Sequence, residues 1–368
     1  MRTAIVHDWL TGMRGGERVL EALLDLVPDA EIFTLLHVPG SVSARIEDRP
    51  IRSSFIARLP FAARRYRNYL PFFPAALERF DLSGFDLVLS SSHCVAKSAV
   101  VPAPGRHVCY CHTPMRYVWD QFDAYFGPGR APPHVRAAMR ALAPRLRRWD
   151  SRTAGRPDRL IANSTFVQRR IRKFWNRDAE VVHPPVDVDR FNAGETRDDY
   201  YLVVGALVAY KRFDLAVRAF AGNVRRLIVV GEGPEERRLR ALAGPAVSFA
   251  GRLPDEEVAA LMARCRAFIV PGEEDFGIAT VEAQAAGAPV IALGHGGSLE
   301  TVIPHAPDNP CATGLFFGEA TVESLRAALD RFEELTFDPA AAATHARRFR
   351  AGLFRERMRA QIDAALRT

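Results

Sequence analysis

The chain has 368 residues, of which 48% are hydrophobic and 25% are charged, a composition typical of a well-packed globular protein with two domains. No apolar run approaches the roughly 20 residues of a membrane-spanning helix, and the first residues enter a strand pattern directly. We therefore expect a cytoplasmic protein without a signal peptide or a span. The formal net charge of +7 favours an anionic partner, although an arginine excess also arises from genomic composition bias.

The five cysteines are odd in number and scattered, which is typical of a reducing compartment rather than a disulfide scaffold. Cys109, Cys111 and His112 are spaced like metal ligands. However, no second pair completes a tetrahedral site, and we interpret the two cysteines as buried core thiols. No D-x-D stretch occurs in a metal-binding context either, so we expect no metal.

The first predicted strand, Ala4 to His7, is followed by a loop with Gly12, Gly15 and Gly16 and a helix from about Glu17 to Leu26. A glycine loop between a strand and a helix allows an anion to approach the helix N-terminus. By itself such a loop is often only a tight turn.

The stretch from Ile51 to Phe80 mixes basic, aromatic and proline residues, and the prolines argue against one long helix. Its composition suits an anionic lipid surface, a lipid-linked phosphate or a nucleic acid. A core-packed connection with a solvated arginine face is an equally good interpretation. The residues concerned are Arg58, Arg64, Arg65, Arg67, Phe61, Tyr66, Tyr69, Phe72, Phe73, Pro60, Pro71 and Pro74.

Two further strands are predicted from Phe85 to Ser90 and from Arg106 to Cys111, and Leu160 to Ala162 is predicted to close the first sheet. Asn163-Ser164 then begins a helix with a side-chain cap. His112 follows the second of these strands directly. The carboxyl end of a strand is where open α/β sheets bind ligands, although a lone histidine is usually structural.

In the second half, strands alternate with helical spacers and no hairpin signal occurs, which predicts a parallel sheet. The strands are Tyr201 to Gly205, Arg226 to Val230, Val247 to Phe249, Ala267 to Val270 and Val290 to Leu293. Lys211 and Arg212 are predicted to open a helix after the first of them. Two fixed cations there can stabilise a diphosphate leaving group without a metal.

The most informative stretch runs from Val270 to Leu299. Glu274 and Glu282 are separated by seven residues and flank the start of a small-residue helix from about Ile278 to Ala286, which Gly287 ends. Phe276-Gly277 places bare backbone beside the helix N-terminus, whose N–H groups favour a phosphate or sugar oxygen. Acidic residues near a helix start are also common as partners of the helix dipole.

The whole string resembles the E-x7-E signature of the retaining glycosyltransferases of family 4. The resemblance implies GT-B architecture: two Rossmann-like parallel-sheet domains facing a cleft, with a C-terminal helix packing back on the first. It implies an acceptor-side domain at 1–192, a nucleotide-sugar domain at 193–345 and a returning helix at 346–368. A Pro-rich crossover is expected from Val181 to Phe191. The arginine-rich final segment, Pro339 to Arg367, is predicted to be helical.

The resemblance also implies roles for individual residues. Glu274 would contact the donor sugar, Glu282 the nucleotide ribose and His112 the reacting centre, while Lys211 would be the catalytic cation. The remaining donor-binding residues would be Gly15, Gly16, Arg212, Gly251, Arg252, Leu253, Phe276, Gly277 and Ile278. The family usually has an arginine five residues before the lysine, but this chain has Ala206 there.

The N-terminal strings HDWLTGMRGGERVL and CHTPMRYVWDQF are similar to those of bacterial mannosyltransferases of surface polysaccharide synthesis. The expected reaction is transfer of a hexose, most simply mannose from GDP-mannose, to a glycan or polyprenyl-diphosphate-linked acceptor. An anionic membrane surface is a further possible partner, at the inner face of the plasma membrane, and nucleic acid is not expected. Transfer from a UDP-sugar, a sugar-nucleotide epimerase and a catalytically silent nucleotide- or glycan-binding relative remain open.

Overall fold

The computed structural model describes residues 1–194, 196–222 and 224–367, and the chain divides into two compact units. Unit 1 consists of Met1–Pro185 together with the segment that begins at Ala351, and unit 2 is Val186–Arg350. The boundary expected after Asn192 lies a few residues further along than the observed one. The C-terminal segment joins unit 1 a few residues later than the expected start at residue 346.

The described part of unit 1 contains a parallel sheet of seven strands in the order β3-β2-β1-β4-β5-β6-β7. The strands are β1 (Thr3–His7), β2 (Glu31–Thr34), β3 (Ile51–Ser53), β4 (Leu87–Ser92), β5 (Arg106–Cys111), β6 (Arg159–Ala162) and β7 (Glu180–Val181). The prediction that Leu160 to Ala162 closes this sheet is wrong, because β7 pairs with β6 beyond it. A strand of two residues with an exposed glutamate carries too little alternation to be recognised in a sequence.

The helices of unit 1 cover both faces of this sheet. They are α1 (Gly15–Leu24), α2 (Ala44–Glu47), α3 (Ala62–Arg65), α4 (Phe73–Glu78), α5 (Phe122–Phe126), α6 (Pro133–Thr153) and α7 (Thr165–Trp175). Helix α7 begins as its sequence predicts, with the Ser164 hydroxyl accepting a hydrogen bond from the Val167 N–H. The strand expected from Phe85 to Ser90 is β4, which begins two residues later at Leu87 and ends at Ser92.

Unit 2 has a second parallel sheet, whose described strands number six in the order β10-β9-β8-β11-β12-β13. They are β8 (Tyr200–Val204), β9 (Arg226–Val230), β10 (Val247–Gly251), β11 (Ala267–Val270), β12 (Val290–Leu293) and β13 (Gly314–Phe317). The first five correspond to the predicted strands. The edge strand β13 lay outside the prediction, since Thr313 to Phe317 is a short apolar run behind a proline-rich loop.

The helices of unit 2 are α8 (Phe213–Phe220), α9 (Glu236–Leu242), α10 (Asp255–Arg264), α11 (Ile278–Ala285), α12 (Ser298–Thr301), α13 (Val322–Glu333) and α14 (Pro339–Ala346). The predicted continuous helix from Pro339 to Arg367 is wrong, because the chain leaves α14 through a 3-10 turn at Arg347–Phe349. A separate helix, α15 (Ala351–Leu366), then belongs to unit 1.

Helix α15 packs on the sheet of unit 1 through one apolar stripe. Phe354, Met358, Ile362 and Ala365 are buried and fall at the spacing of one helix face. The Phe354 ring meets the Tyr110 ring of β5 edge-on, with centroids 5.5 Å apart. The predicted α/β class, with two Rossmann-like parallel-sheet domains and a C-terminal helix packed on the first, is confirmed.

Candidate functional site

The predicted site residues of unit 2 follow the carboxyl ends of β8, β10 and β11. All strands of this sheet are parallel, so their carboxyl ends lie along one edge, where open α/β sheets bind ligands. The structure brings Lys211 and Glu274 into direct contact there, although they are 63 residues apart in the chain. Glu282 is held by a separate contact, with Arg190.

The Lys211 Nζ donates a hydrogen bond of 2.8 Å to Glu274 Oε1, and both side chains are about four-fifths buried, at 17% and 20% exposure. Lys211 ends a 3-10 turn at Ala209–Lys211. Arg212 has a left-handed φ of 52° before α8 begins at Phe213. Arg212 is thus the N-cap of α8, which begins one residue later than expected, and Lys211 ends the 3-10 turn before it.

Close backbone packing holds the two loops together. A Cβ on Gly272 would lie 2.7 Å from the Lys211 backbone, so only glycine allows the loop that carries Glu274 to approach the loop that carries Lys211. The other side of the Glu274 loop is tied down by the Gly297 N–H, which donates to the Glu274 carbonyl at 2.7 Å. The loop that carries Glu274 is therefore fixed on one side by the close packing at Gly272 and on the other by the Gly297 hydrogen bond.

Helix α11 starts at Ile278, as predicted, directly behind Gly277. Gly277 has a φ of +93°, a left-handed conformation that a side chain would strain. Phe276 is buried and its ring lies 5.3 Å from that of Phe349. Gly287 follows the helix with a φ of +78°.

Glu282 lies in the second turn of α11 and is bound by an arginine that the sequence analysis did not consider. Arg190 donates to Glu282 Oε1 at 3.0 Å and to the Asp255 carboxylate at 2.9 Å. Its guanidinium also lies over the Phe191 ring at 4.6 Å. Arg190 belongs to the crossover segment, which packs against α11. A search of that segment for a basic partner of Glu282 would have found it.

The remaining predicted residues of unit 2 lie at the same edge. Arg212 Nε donates to Asp214 at 3.1 Å, so its charge is partly engaged. Gly251 ends β10, and its carbonyl accepts from the Gly231 N–H at 2.7 Å. Arg252 is exposed and Leu253 is half-buried behind it.

In unit 1, the predicted His112 lies at the carboxyl end of β5. Its Nε2 shares a 2.8 Å hydrogen bond with the Ser91 hydroxyl of the neighbouring strand β4. Burial, with smaller contributions from His93 and His7, holds the pKa of His112 well below its ordinary value. The imidazole is therefore neutral near pH 7 and can exchange hydrogen bonds with a hydroxyl group.

The glycine loop approaches this histidine from α1. Gly15 and Gly16 form the first turn of the helix rather than the preceding loop, and a Cβ on Gly16 would lie 3.7 Å from the His7 ring and 4.0 Å from His112 Nε2. Glu17 Oε2 accepts from the Arg14 N–H at 3.0 Å and so caps the helix. Gly16 thus lies next to His7 and His112, at a distance where a Cβ would make ordinary van der Waals contacts.

A buried aspartate that the sequence analysis did not single out shapes the same edge. The two carboxylate oxygens of Asp8 accept hydrogen bonds of 2.7–2.9 Å from four consecutive N–H groups, those of His93, Cys94, Val95 and Ala96. The sequence feature that could have identified Asp8 is its position directly after β1, at the carboxyl end of a strand. Asp8 fixes the loop after β4, which carries His93.

Cys109 and Cys111 are buried free thiols, as predicted, and burial raises the pKa of Cys109 to about 12. Among the residues that the structure describes, no group of three or more histidine, cysteine and acidic side chains could hold a metal ion.

Two family models match the chain in succession. The model described as Glycosyltransferase Family 4 matches residues 13–190, and the model described as Glycosyl transferases group 1 matches residues 186–349. The N-terminal part of the chain thus resembles glycosyltransferase family 4, and the C-terminal part resembles the group 1 glycosyl transferases. Together these matches extend over both units.

Curated relatives match a part of the chain. The D-inositol 3-phosphate glycosyltransferase of Mycobacterium avium is 31% identical over 166 residues, 38% of this chain and 39% of the relative. The GDP-mannose-dependent alpha-mannosyltransferase of Mycolicibacterium smegmatis is 29% identical over 179 residues, 45% of this chain and 46% of the relative. The matched region thus spans less than half the length of these relatives.

Solved structures match the fold over its whole length. Anabaena HepE in complex with UDP and glucose is 16% identical, with 99% of each chain covered and a TM-score of 0.67. The catalytic domain of starch synthase IV from Arabidopsis thaliana, bound to ADP and acarbose, is 14% identical, with 100% of each chain covered and a TM-score of 0.69. The fold of the chain is that of the GT-B glycosyltransferases.

Proposed function

We propose that this chain is a retaining glycosyltransferase that moves mannose from GDP-mannose to a hydroxyl group of a glycan or of a polyprenyl-diphosphate-linked oligosaccharide. The observation that carries the proposal is the Lys211–Glu274 pair at the carboxyl edge of the unit 2 sheet, beside the N-terminus of α11. A nucleotide-diphosphate sugar is bound by a cation and helix N–H groups at its diphosphate and by a carboxylate at its sugar hydroxyls, and all three kinds of group occur here.

In the proposed complex Lys211 and the first turn of α11 bind the diphosphate, and Glu274 accepts hydrogen bonds from the sugar hydroxyls. Charge grows on the diphosphate as its bond to the sugar breaks, so the lysine and the helix dipole stabilise the transition state more than the ground state. Glu282, which Arg190 holds in place, accepts from the ribose hydroxyls. Arg212 and the Gly251–Leu253 loop complete the nucleotide site in this proposal.

The proposed chemical step is attack from the same face as the leaving group. The bond from the anomeric carbon to the diphosphate oxygen breaks, and the acceptor oxygen forms its bond on that face. The acceptor proton passes to the departing diphosphate. Glu274 is not proposed as a nucleophile, because its Oε1 is engaged by Lys211. Neutral His112 forms hydrogen bonds with the sugar hydroxyls at the reacting centre.

We propose that no metal is required, since Lys211 supplies the charge that a bound cation supplies in other transferases. Addition of a chelator to the purified protein should then leave its transfer rate unchanged. Loss of activity with chelator and recovery with a divalent cation would contradict this part of the proposal.

The choice of GDP-mannose is supported by the Mycolicibacterium smegmatis relative, which is described as GDP-mannose-dependent. The solved structures of the same fold contain UDP or ADP, so the fold alone is compatible with other bases. Incubation of the protein with radiolabelled GDP-mannose, UDP-glucose and UDP-N-acetylglucosamine distinguishes these donors. Transfer or slow hydrolysis of GDP-mannose is the expected result.

Other results of the same experiment would contradict the proposal. Preferred use of a UDP-sugar would change the donor, and interconversion of sugars without transfer would indicate an epimerase. Binding of all donors without turnover would indicate a silent relative. The anomeric configuration of the product, determined by NMR, tests retention.

A further inference from the structure

Three histidines lie at the carboxyl edge of the unit 1 sheet, and the proposed transferase chemistry uses only one of them. His7 ends β1, His93 directly follows β4, and His112 directly follows β5. These strands are neighbours in the order β1-β4-β5, so the three side chains meet at one place. The centroid of the His93 ring lies 6.2 Å from that of His7 and 6.2 Å from that of His112. His93 therefore borders the reacting centre of the proposed function.

His93 is oriented by the buried carboxylate of Asp8. Its Nδ1 lies 3.2 Å from Asp8 Oδ2, an oxygen that also accepts hydrogen bonds from the His93 and Cys94 N–H groups. Because a carboxylate only accepts hydrogen bonds, Nδ1 carries the proton of the neutral ring and Nε2 presents its lone pair. The pair thus holds a hydrogen-bond acceptor, Nε2, on the side of the ring away from Asp8.

The ring of His93 differs from that of His7 in its access to solvent. The His93 side chain is 28% exposed, whereas the His7 side chain is fully buried, 3.7 Å from Glu17. The Trp9 ring packs edge-on against His93 at 88°, with centroids 4.4 Å apart, and so restricts its tilt. Within the part of the chain that the structure describes, the hydrogen-bonding partner of the His93 ring is Asp8. Nε2 is then the atom through which His93 can bind a ligand.

The charge state of His93 suits the role of an acceptor. Burial holds the pKa of its imidazole below the ordinary value. Asp8 and Glu17 act in the opposite direction, while the positive charges of His7 and Arg116 add to the lowering. The imidazole is therefore neutral near pH 7, and its Nε2 can accept a hydrogen bond from a hydroxyl group.

A fully buried ion pair fixes the loops that carry His93 and His112. Lys97 Nζ lies 3.0 Å from Asp150 Oδ1, and both side chains are 0% exposed. Lys97 belongs to the turn that follows His93. Asp150 Oδ2 accepts from the indole N–H of Trp119, in the segment after His112, at 2.8 Å. Because loss of either charge would leave the other buried and unpaired, both loops are held firmly, and the gap between the two imidazoles is set before a ligand binds.

We propose that His93 selects the acceptor: its Nε2 accepts a hydrogen bond from a hydroxyl of a pyranose ring, next to the hydroxyl that attacks. The inference rests on the proposed function, in which the reacting centre lies beside His112. A hexose carries hydroxyls on adjacent carbons, so when one attacks there its neighbour reaches the second imidazole, 6.2 Å away. The attacking hydroxyl does not contact His93, and its proton still passes to the departing diphosphate.

The acceptor class that follows is a pyranoside with two adjacent free hydroxyls. A site built to accept a hydrogen bond discriminates against a ligand that lacks the donor, because the polar atom of the site is then left unpaired. An acceptor with a single hydroxyl would leave Nε2 of His93 in that state.

The first test is binding of methyl α-D-mannopyranoside to the full chain with isotope-labelled histidine rings. Long-range proton–nitrogen NMR spectra distinguish the two ring nitrogens, and His93→Gln identifies the His93 signals. We expect His93 to carry its proton on Nδ1, and we expect the probe to shift the Nε2 signal in a saturable manner when GDP is present. Cyclohexanol, a six-membered ring with one hydroxyl, should leave that signal in place. His93 signals that methyl α-D-mannopyranoside does not shift would overturn the proposal.

Two substitutions separate ligand binding by His93 from a purely structural role. His93→Gln keeps a polar group near the position of Nε2, whereas His93→Asn keeps only a donor toward Asp8. The His112 signals report the dissociation constant of the probe in both variants. Binding should be about fivefold weaker in His93→Asn, the usual value of one hydrogen bond, and within about twofold of the parent in His93→Gln. The reverse order would overturn the proposal, since His93 would then act only through Asp8.

The pH dependence of probe binding supplies a readout that a structural role would not change. Because an imidazolium cannot accept a hydrogen bond, affinity should be level near pH 7 and fall as the pH drops through the lowered pKa of His93. His93→Asn should lack this fall. His134→Gln is the matched control, because that histidine is exposed on α6, and it should bind the probe like the parent. The same pH dependence in the parent and in His93→Asn would overturn the proposal.

These measurements are independent of sugar transfer, since they require neither GDP-mannose nor turnover. Absence of any reaction with the nucleotide sugars would contradict the proposed function and leave a shift at His93 standing. Transfer or hydrolysis of GDP-mannose without a shift at His93 would do the opposite. A shift of the His93 signals by GDP-mannose, with none caused by methyl α-D-mannopyranoside, would assign His93 to the donor sugar and overturn the proposal.

Discussion

At the scale of single residues, the Lys211–Glu274 pair is the part of unit 2 that we propose binds a diphosphate. The lysine is mostly buried and its ammonium group is already oriented by Glu274. Because the two loops are held by backbone packing at Gly272 and Gly297, little reorganisation is needed when Lys211 turns toward a phosphate.

Lys211→Ala should lower the transfer rate about 10²–10³-fold with little loss of stability, because it removes charge stabilisation that is strongest in the transition state. Steady-state kinetics and a thermal melt check the two parts. Lys173→Ala is the matched control, since that lysine is exposed on α7. Near-normal transfer by Lys211→Ala would contradict the assignment.

Glu274 and Glu282 should differ in how they affect the product nucleotide. Glu282→Gln should weaken binding of GDP, because a charged acceptor for the ribose hydroxyls becomes a neutral amide, a change typically worth about 1 kcal/mol or more. Glu274→Gln should leave GDP affinity unchanged or tighten it, since Lys211 loses its competing carboxylate. Calorimetry with GDP measures both, and equal losses would show that the pair is misassigned.

At the scale of elements, the crossover segment is attached to the helix that carries Glu282. Val188 and Phe191 are buried in the same apolar cluster as Val281 and Ala285 of α11. Arg190 lies between them and bridges Glu282 to Asp255 at the start of α10. Glu282, the carboxylate that we propose binds the ribose, is therefore positioned by a residue that lies outside its own helix.

Arg190→Ala should weaken GDP binding several-fold, because Glu282 loses the contact that orients it. The transfer rate at saturating donor should change less, since Arg190 is a positioning residue. Arg190→Lys should recover part of the affinity. Arg264→Ala, which removes an exposed ion pair with Asp198 in the same unit, is the control. Equal GDP affinity in the parent and Arg190→Ala would argue that Glu282 is held by its helix alone.

At the scale of the whole molecule, the chain returns to unit 1 after completing unit 2. Helix α15 contributes Phe354, Met358 and Ile362 to the same buried cluster as Ile5, Leu89 and Tyr110 of the unit 1 sheet. The stability of unit 1 therefore depends on residues that follow unit 2 in the sequence.

Phe354→Ala should lower the free energy of unfolding of unit 1 by about 3 kcal/mol, the usual cost of removing a buried phenylalanine ring. Urea denaturation monitored by circular dichroism measures the change. Arg357→Ala, on the exposed face of the same helix, should change it by less than about 0.5 kcal/mol. A loss below about 1 kcal/mol for Phe354→Ala would indicate that α15 contributes little to unit 1.

Much of the architecture follows from the sequence alone, because the signals that specify it are local. Buried parallel strands appear as short apolar runs, and most of the strands in both units were predicted within a few residues. Gly287, Ser164 and the start of α11 were predicted because helix ends depend on one or two residues. The family likewise follows from Glu274, Glu282 and their spacing.

Only the tertiary structure determined which of these residues meet. The Lys211–Glu274 contact joins residues 63 apart and the Arg190–Glu282 contact joins residues 92 apart, and no periodicity within a segment encodes either pairing. The exposure and the left-handed backbone of Phe61 could not be predicted from the sequence either, because they depend on which residues pack against the turn. Parallel sheets bring distant loops to one edge, so a sequence can name the side chains of a site, whereas their partners depend on the order of the strands.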